Sequence, residues 1–469
     1  FCLPENTEEA LINDCIISDK IKVTFSVFGA VSIRKIFTGF YLDDFKSNQN
    51  VPDLSRFFTV NFKDNIDFAL LCQMLGDIPG VLFVQPNRLL QNPEYDNEFY
   101  ANFTNKSFPL DDPNDLDWAK QWNLKNTTRG IGCPSAWAIT TGDSTVRIGV
   151  LEDGISSQHY DLDIFGGRSF KLINGSPAAA ALDTSLSNTR DHPTQVAGII
   201  SAKTNNLRGI AGIAGGNNGT SGCRLISLQI IDWTEEVLAY ALYKAPSPTY
   251  LDCDIVNMSF AYDCYSEPVR AAISFCNSQG VNIVAAKGQA VAPDSSFYFP
   301  ADLDYSWVTS VGCFGKDGLF CDNGDSCYTY SHFGWGVDIL GPGEFYPSLI
   351  KPGNGAQDFN DSDLNWFLGT SGASPHVAAS LGLLRSVLGN GLKPIDYESI
   401  LKLNSRDEYG YSNDGNPQTW NSRYGHGCLE IGSTLEFATN TDNEIVHFST
   451  NGSLGIPLCS IKRGYTFMS

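Results

Sequence analysis

The sequence predicts an α/β protein: a doubly wound parallel sheet preceded by a small α/β unit. Three observations lead there. Between Trp118 and about Ala438, short apolar runs (Val146 to Leu151, Arg224 to Ile231, Ile255 to Ser259, Val281 to Ala286, Trp307 to Val311) alternate with helix-like segments. These runs are apolar along their length, the pattern of strands covered by helices on both faces. Upstream, residues 92–117 are rich in Asn, Asp and Pro and carry little apolar periodicity, which marks an exposed linker. At 469 residues the chain has room for two or three domains.

Each segment follows in order. Residues 1–91 form an N-terminal unit in which Ile21 to Phe28 and Phe57 to Phe62 read as strands, Phe68 to Leu75 as an apolar-periodic helix, and Gly80 to Gln85 as a further strand-like run. The linker occupies 92–117, the large domain 118–438, and a tail with one more Cys 439–469. No internal repeat or low-complexity tract interrupts this plan.

Composition narrows the function. The 31 Lys and Arg against 52 Asp and Glu give a net charge of −21, which repels phosphate backbones and argues against nucleic acid as a partner. Apolar segments are broken by Gly, Asp or Asn well short of a spanning length, so no membrane helix is expected. The chain begins at Phe1, as a mature secreted chain would after loss of a signal peptide. Thirteen cysteines without CxxC spacing favour disulfides over zinc, and an odd number leaves one thiol over. Cys321 and Cys327 bracket the turn-forming DNGDS segment and are expected to pair. Glycosylation triplets at Asn102, Asn105, Asn126, Asn218 and Asn360 fit the same extracellular setting.

Three segments of the large domain can carry chemistry. An apolar strand delivers Glu152 and Asp153 at its carboxyl end, where parallel sheets place their sites. His192 precedes Pro193, a residue suited to the first helical position. Ser371, flanked by small residues, enters a helix whose unpaired N–H groups favour developing negative charge. Alone, each has an ordinary structural use as solvated pair, cap or turn. Together a carboxylate, an imidazole and a hydroxyl make an acyl-transfer triad.

These segments resemble the subtilisin-like serine peptidases. Val150-Leu151-Glu152-Asp153-Gly154-Ile155 with His159-Tyr160-Asp161-Leu162 is similar to the family's first signature and its HPDL sequel, HPTQVAG to HGTHVAG, and GTSGASPHVA to GTSMAAPHVA. Further ordered matches are Gly209 to Ala214, Val256 to Phe260, Phe299-Pro300-Ala301, Gly341-Pro342-Gly343 and Tyr424 to Gly427. The stretch 57–91 resembles the end of a propeptide, a folding chaperone and inhibitor, and Gln121 to Leu124 the start of a catalytic domain. The resemblance implies catalytic roles for Ser371, His192 and the residue at 152, an oxyanion role for the residue at 289, and a substrate edge at Ser259, Phe260 and Ala261. It implies peptide or protein ligands and the chain's own propeptide-like domain as partners. No cofactor is required, although Asp161, with Asp163 two residues on, matches a calcium ligand of many relatives.

Departures cluster at the chemistry. Glu152 stands at the Asp position, and one added methylene carries the carboxylate about 1.5 Å further. Asp153 is expected to point the other way, because successive strand side chains alternate. Gln289 replaces the oxyanion Asn, and Pro193 and Ala261 replace glycines. The expected function is therefore a secreted pseudoprotease with a binding or structural role and a propeptide-like domain left attached. The alternative is an active secreted serine endopeptidase using a Glu152–His192–Ser371 triad. Substrate and oligomeric state are not legible.

Overall fold

A computed structural model describes residues 9–11, 19–38, 40, 51–63, 66–76, 78, 81–85, 87, 112–127, 129–185, 191–217, 219–290, 296–303, 307–322, 327, 330–352, 363–406, 420–440, 443–446 and 459–462. The N-terminal unit contains β1 (Glu9–Leu11), α1 (Asp19–Val27), β2 (Ala30–Lys35), β3 (Phe58–Phe62) and α2 (Phe68–Gly76). Its strands form an antiparallel sheet in the order β1-β2-β3. Phe25, Ile33, Leu71 and Leu75 make its small core.

Two expectations fail here. The run Ile21 to Phe28 is helical rather than extended: its inward residues fall at 21, 24, 25 and 28, a 3.6-residue period, while Val23 and Val27 are left exposed. Residues 81–85 join no sheet; the Gln85 side chain turns to the large domain, donating to Glu235 and accepting from the Glu267 N–H.

The large domain runs through α3 (Cys133–Trp137), β4 (Arg147–Glu152), β5 (Ile164–Ile173), β6 (Ser176–Ala180), α4 (His192–Ser201), β7 (Arg224–Ile230), α5 (Glu235–Lys244) and β8 (Ile255–Met258). It continues with α6 (Glu267–Ser278), β9 (Asn282–Ala286), β10 (Val308–Phe314), β11 (Ile339–Pro342), α7 (Thr370–Leu388), α8 (Pro394–Leu403) and α9 (Ile431–Thr439). Eight strands form one sheet in the order β11-β10-β9-β8-β4-β7-β5-β6, parallel except for the β5–β6 hairpin. One face is packed by α4 and α7, the other by α5 and α6. The sheet thus has the doubly wound form expected, with β4 at its centre. Among the described residues no helix is long and apolar enough to cross a membrane.

The end of the expected linker is not exposed throughout. Asp115 and Asp117 are buried against the 205–209 loop, where Asp115 accepts the N–H groups of Asn205 and Asn206. Packing of the large domain therefore starts before Trp118. Residues 92–111 lie outside the described residues, as do Asn102, Asn105, Asn218 and Asn360, whereas Asn126 is exposed.

The N-terminal unit docks on α5 and α6. Ile36, Phe37, Phe40 and Leu54 join the same apolar cluster as those helices, with Phe37 and Phe40 edge-on to Tyr243. At the centre of this contact Arg34 pairs with Glu236 at 2.6 Å, both fully buried, and Thr59 and Asn87 donate to the same carboxylate. A buried ion pair is costly to break once its remaining lone pairs are filled in this way.

Cys321 and Cys327 are joined in a disulfide. Among the described residues, Cys133, Cys223, Cys253, Cys276 and Cys313 are not bridged as expected but are buried thiols packed in the two large apolar clusters, whereas Cys2 and Cys15 lie outside the described residues. Burial pushes these thiols up, Cys223 to about 11 and Cys313 to about 12.

His376, on α7, lies wholly inside this core. Its Nδ1–H donates to the Gly372 carbonyl at 2.7 Å and Nε2 accepts from the Asn123 amide at 2.8 Å. Burial holds its pKa down at about 3, so the unfolded chain takes up a proton that the folded chain refuses. Stability present above pH 6.5 is lost as pH falls toward 3, at about 1.4 kcal/mol per pH unit. The denaturant midpoint should therefore drop between pH 6.5 and 4, with a flatter slope in His376→Asn; equal slopes in both chains would refute the assignment.

Candidate active site

The carboxyl ends of β4 and β8 meet where the sheet's connections diverge to either side, the switch point at which such sheets bind ligands. Strand β4 is buried from Ile148 onward, and its last residue, Glu152, is only 1% exposed. Its register beside Gln229 of β7 fixes where the carboxylate leaves the sheet. Helix α4 begins at His192 with Pro193 in its first turn, which orients the imidazole toward this strand end. Glu152 Oε1 lies 3.5 Å from His192 Nδ1. Phe367 stands edge-on to the same imidazole at 5.5 Å.

Asp153 does point elsewhere. Its Oδ1 accepts the Trp233 indole N–H at 2.6 Å, and Trp233 in turn stands edge-on to Phe260 at 5.1 Å. The indole thereby links the ends of β7, β4 and β8. The pair of acids at the strand end is divided by the pleat, Glu152 toward the imidazole and Asp153 toward the indole.

Ser371 is the second residue of the nineteen-residue α7, most of which is buried. The turn into this helix passes through Gly369 at φ +83°, a left-handed conformation that a side chain would strain. A Cβ there would also strike the Gln289 side-chain amide, so Gln289 rests directly on the turn that presents Ser371. The next position, Gly372, has no room either, because the buried Tyr346 hydroxyl fills the space. That contact accounts for Gly where the family signature has Met.

Ser259, just past β8, locks to α7 reciprocally. Ser259 Oγ donates to the Ser371 carbonyl at 2.8 Å, while Ser371 Oγ donates to the Ser259 carbonyl at 2.9 Å. The Gly288 N–H donates to Thr370 Oγ1 at 3.2 Å, holding the 287–289 turn on the same helix start. Thus Glu152, His192, Ser371, Gln289 and the Ser259–Ala261 edge converge on one end of the sheet, although the seryl hydroxyl is turned to a backbone oxygen.

The sequence left other contributors unmarked. Lys287, 1% exposed, pairs with Asp302 beneath the 287–289 turn, and His332 stacks on Tyr298 at 3.8 Å beside Gly288. A lysine ending the otherwise apolar run Asn282 to Ala286 was the available signal. Tyr346, in a buried strand, and Trp233, in a loop, carried none, since single aromatic residues have many uses.

The residues around Asp161 do not suit calcium. Asp161 is fully buried, with Oδ1 accepting the Asn206 amide at 2.5 Å and Oδ2 the Ile210 N–H at 3.3 Å. Asp163 is drawn away to Lys203, whose ammonium also donates to the Tyr160 carbonyl. A calcium ion requires six or more oxygens, and here both Asp161 oxygens accept N–H donors while the Lys203 ammonium takes Asp163 and the Tyr160 carbonyl. Among the described residues no group of three His, Cys, Asp or Glu side chains could hold a metal.

Comparison with known proteins agrees with this geometry. The sequence model of the subtilase family, peptidase S8, matches residues 143–427. The chain is 28% identical over 352 residues to a thermophilic serine proteinase of Bacillus sp. (strain AK1), covering 73% of each protein. It is 28% identical over 360 residues to an extracellular protease of Xanthomonas campestris pv. campestris, covering 69% of this chain and 56% of that protein. Alkaline elastase YaB of Bacillus sp. (strain YaB) is 32% identical over 240 residues, 51% of this chain and 54% of the relative. A solved protease from Pseudoalteromonas arctica superposes with a TM-score of 0.54 at 24% identity, over 70% of this chain and all of that one, which supports the fold. With a family match across more than half its length and the carboxylate, imidazole and hydroxyl in their ordered places, the chain belongs to the subtilase family.

Proposed function

We propose that this chain is a secreted subtilisin-like pseudoprotease, a protein that retains the family's peptide-binding edge and N-terminal unit while its hydrolytic machinery is disabled. The observation that carries the reading is the orientation of Ser371: its hydroxyl donates to the Ser259 carbonyl, a group that cannot take its proton. Two substitutions work in the same direction. Glu152 reaches His192 only at 3.5 Å, beyond the usual range for a charge-assisted hydrogen bond of 2.7–2.9 Å. Gln289 is packed on Gly369 by a longer arm than an Asn would have.

Magnitudes favour inactivity. In subtilisin itself, losing the triad Asp costs about 3 × 10⁴ in rate and losing the oxyanion Asn about 10²–10³. A Glu and a Gln keep the functional groups and so cost less than deletion, yet each misplaces a group that must act within tenths of an ångström. The N-terminal unit, held by the Arg34–Glu236 pair, is then a permanent part of the molecule and stands as its first partner, with extended peptide or protein segments along Ser259–Ala261 as the second. Secretion is supported by the exposed Asn126 triplet and by the extracellular protease among the relatives.

A fluorophosphonate probe tests this, since only an activated serine reacts. The full-length chain should resist labelling and run uncut on a denaturing gel, as Ser371→Ala does. The pair Glu152→Asp with Gln289→Asn should restore labelling. Wild-type self-cleavage between residues 88 and 120, absent in Ser371→Ala, would instead establish an active endopeptidase with a Glu–His–Ser triad. Separately, chelation should leave the melting temperature unchanged; a fall reversed by added calcium would overturn the reading of Asp161 given above.

A further inference from the structure

Trp335 is 92% exposed, the most exposed large apolar side chain among the described residues. It lies in the loop before β11, and its ring stacks on Trp420 with centroids 5.4 Å apart and planes 23° from parallel. Trp420 is fixed in turn, its indole N–H donating to the Val337 carbonyl at 2.7 Å. The Gly334 N–H donates to the Ser422 carbonyl at 2.7 Å, tying the Trp335 loop to the segment that carries Trp420. The Trp335 ring therefore leans on Trp420 at one edge while nearly all of its surface is presented to solvent, in a loop tied down beside it.

The residues that follow Trp420 in the chain, Asn421 to Tyr424, line a cavity of about 380 Å³ together with Leu319, Phe320 and Asp322, within the size range of small-ligand sites, and Ser422 is the residue whose carbonyl holds the Trp335 loop. Asp322 and Arg423 pair at 2.6 Å, and the guanidinium also lies over Phe320 at 5.9 Å and Phe333 at 5.5 Å. The rim thus offers hydroxyl-bonding donors and acceptors with no net charge. None of these residues belongs to the site at the ends of β4 and β8.

We propose that this surface is a saccharide-binding site, with Trp335 as the platform for a sugar ring. The electron-rich face of an indole attracts the weakly positive C–H groups on one side of a pyranose, and a flat rigid support loses little entropy on binding. The paired acid and guanidinium suit a ring edged with hydroxyls, each a donor and an acceptor, and their neutrality fits an uncharged glycan better than a phosphorylated ligand or nucleic acid.

Native electrophoresis through gels carrying soluble neutral polysaccharides (galactomannan, mixed-linkage β-glucan and glycol chitin) tests the proposal, with the full-length chain and its Trp335→Ala variant. The wild-type chain should be retarded in at least one gel, and its tryptophan fluorescence should shift with the matching oligosaccharide. Trp335→Ala should weaken retention by roughly tenfold, the loss of one stacked contact, with an unchanged melting temperature because the ring is exposed. Ser371→Ala should bind like wild type, which separates this surface from the reading of the peptidase site. No retardation in any gel, or equal retardation of Trp335→Ala, would overturn the proposal. So would a Trp335-dependent dimer in sedimentation without retardation, which would make the patch a self-association surface.

Discussion

The attachment of α7 to β8 is the constraint on which the rest of the site depends. Two reciprocal hydrogen bonds between Ser259 and Ser371 join the end of a central strand to the start of a buried helix, and Gly288 donates to Thr370 one residue away. A nineteen-residue helix that deep in the core cannot shift without disturbing β8 through β11. Its N-terminus is therefore fixed first, and Gln289 and His192 must meet it where it stands. The same rigidity holds the shape of the site: the framework is secured by the packing of α7 together with the Ser259 and Ser371 hydroxyls that tie it to β8.

Much of this was legible because it rests on local pattern. Buried strands declared themselves as apolar runs, and the ordered signatures around Glu152, His192 and Ser371 pointed to the family and to the sheet end where these residues lie. Other parts were obscured for identifiable reasons. The β5–β6 hairpin carries a two-residue Asn174-Gly175 turn with positive φ at both positions, a strong hairpin signal overlooked among helical segments. In α1 the β-branched Ile21, Val23, Thr24 and Val27 favour extension, yet the 3.6-residue spacing of its inward positions prevails. The orientation of the Ser371 hydroxyl had no sequence signature, because a rotamer depends on partners distant in the chain.

The N-terminal unit follows a different logic. Its own core is small, and Ile36, Phe37, Phe40 and Leu54 extend it into the cluster built by α5 and α6. Glu236 serves three donors from that unit, Arg34, Thr59 and Asn87, so one carboxylate gathers a large part of the polar contact. Glu235 beside it takes Gln85 and the Ser266 hydroxyl. Acids in the first turn of α5 suit the positive end of the helix dipole, which makes this turn a natural anchor for donors from another domain.

The buried thiols give this fold an unusual history-dependence. Once folded, Cys133, Cys223, Cys253, Cys276 and Cys313 are sealed from oxidants and held as unreactive thiols by their apolar surroundings. Before folding, the same groups are open to scrambled pairing in any oxidising compartment. Maturation is thus a race between core formation and thiol chemistry, and an acquired cross-link at any of these five positions would exclude the chain from its native packing. Rapid folding protects these thiols wherever oxidants are present, and a laboratory that refolds the chain does well to supply reductant until the core has closed.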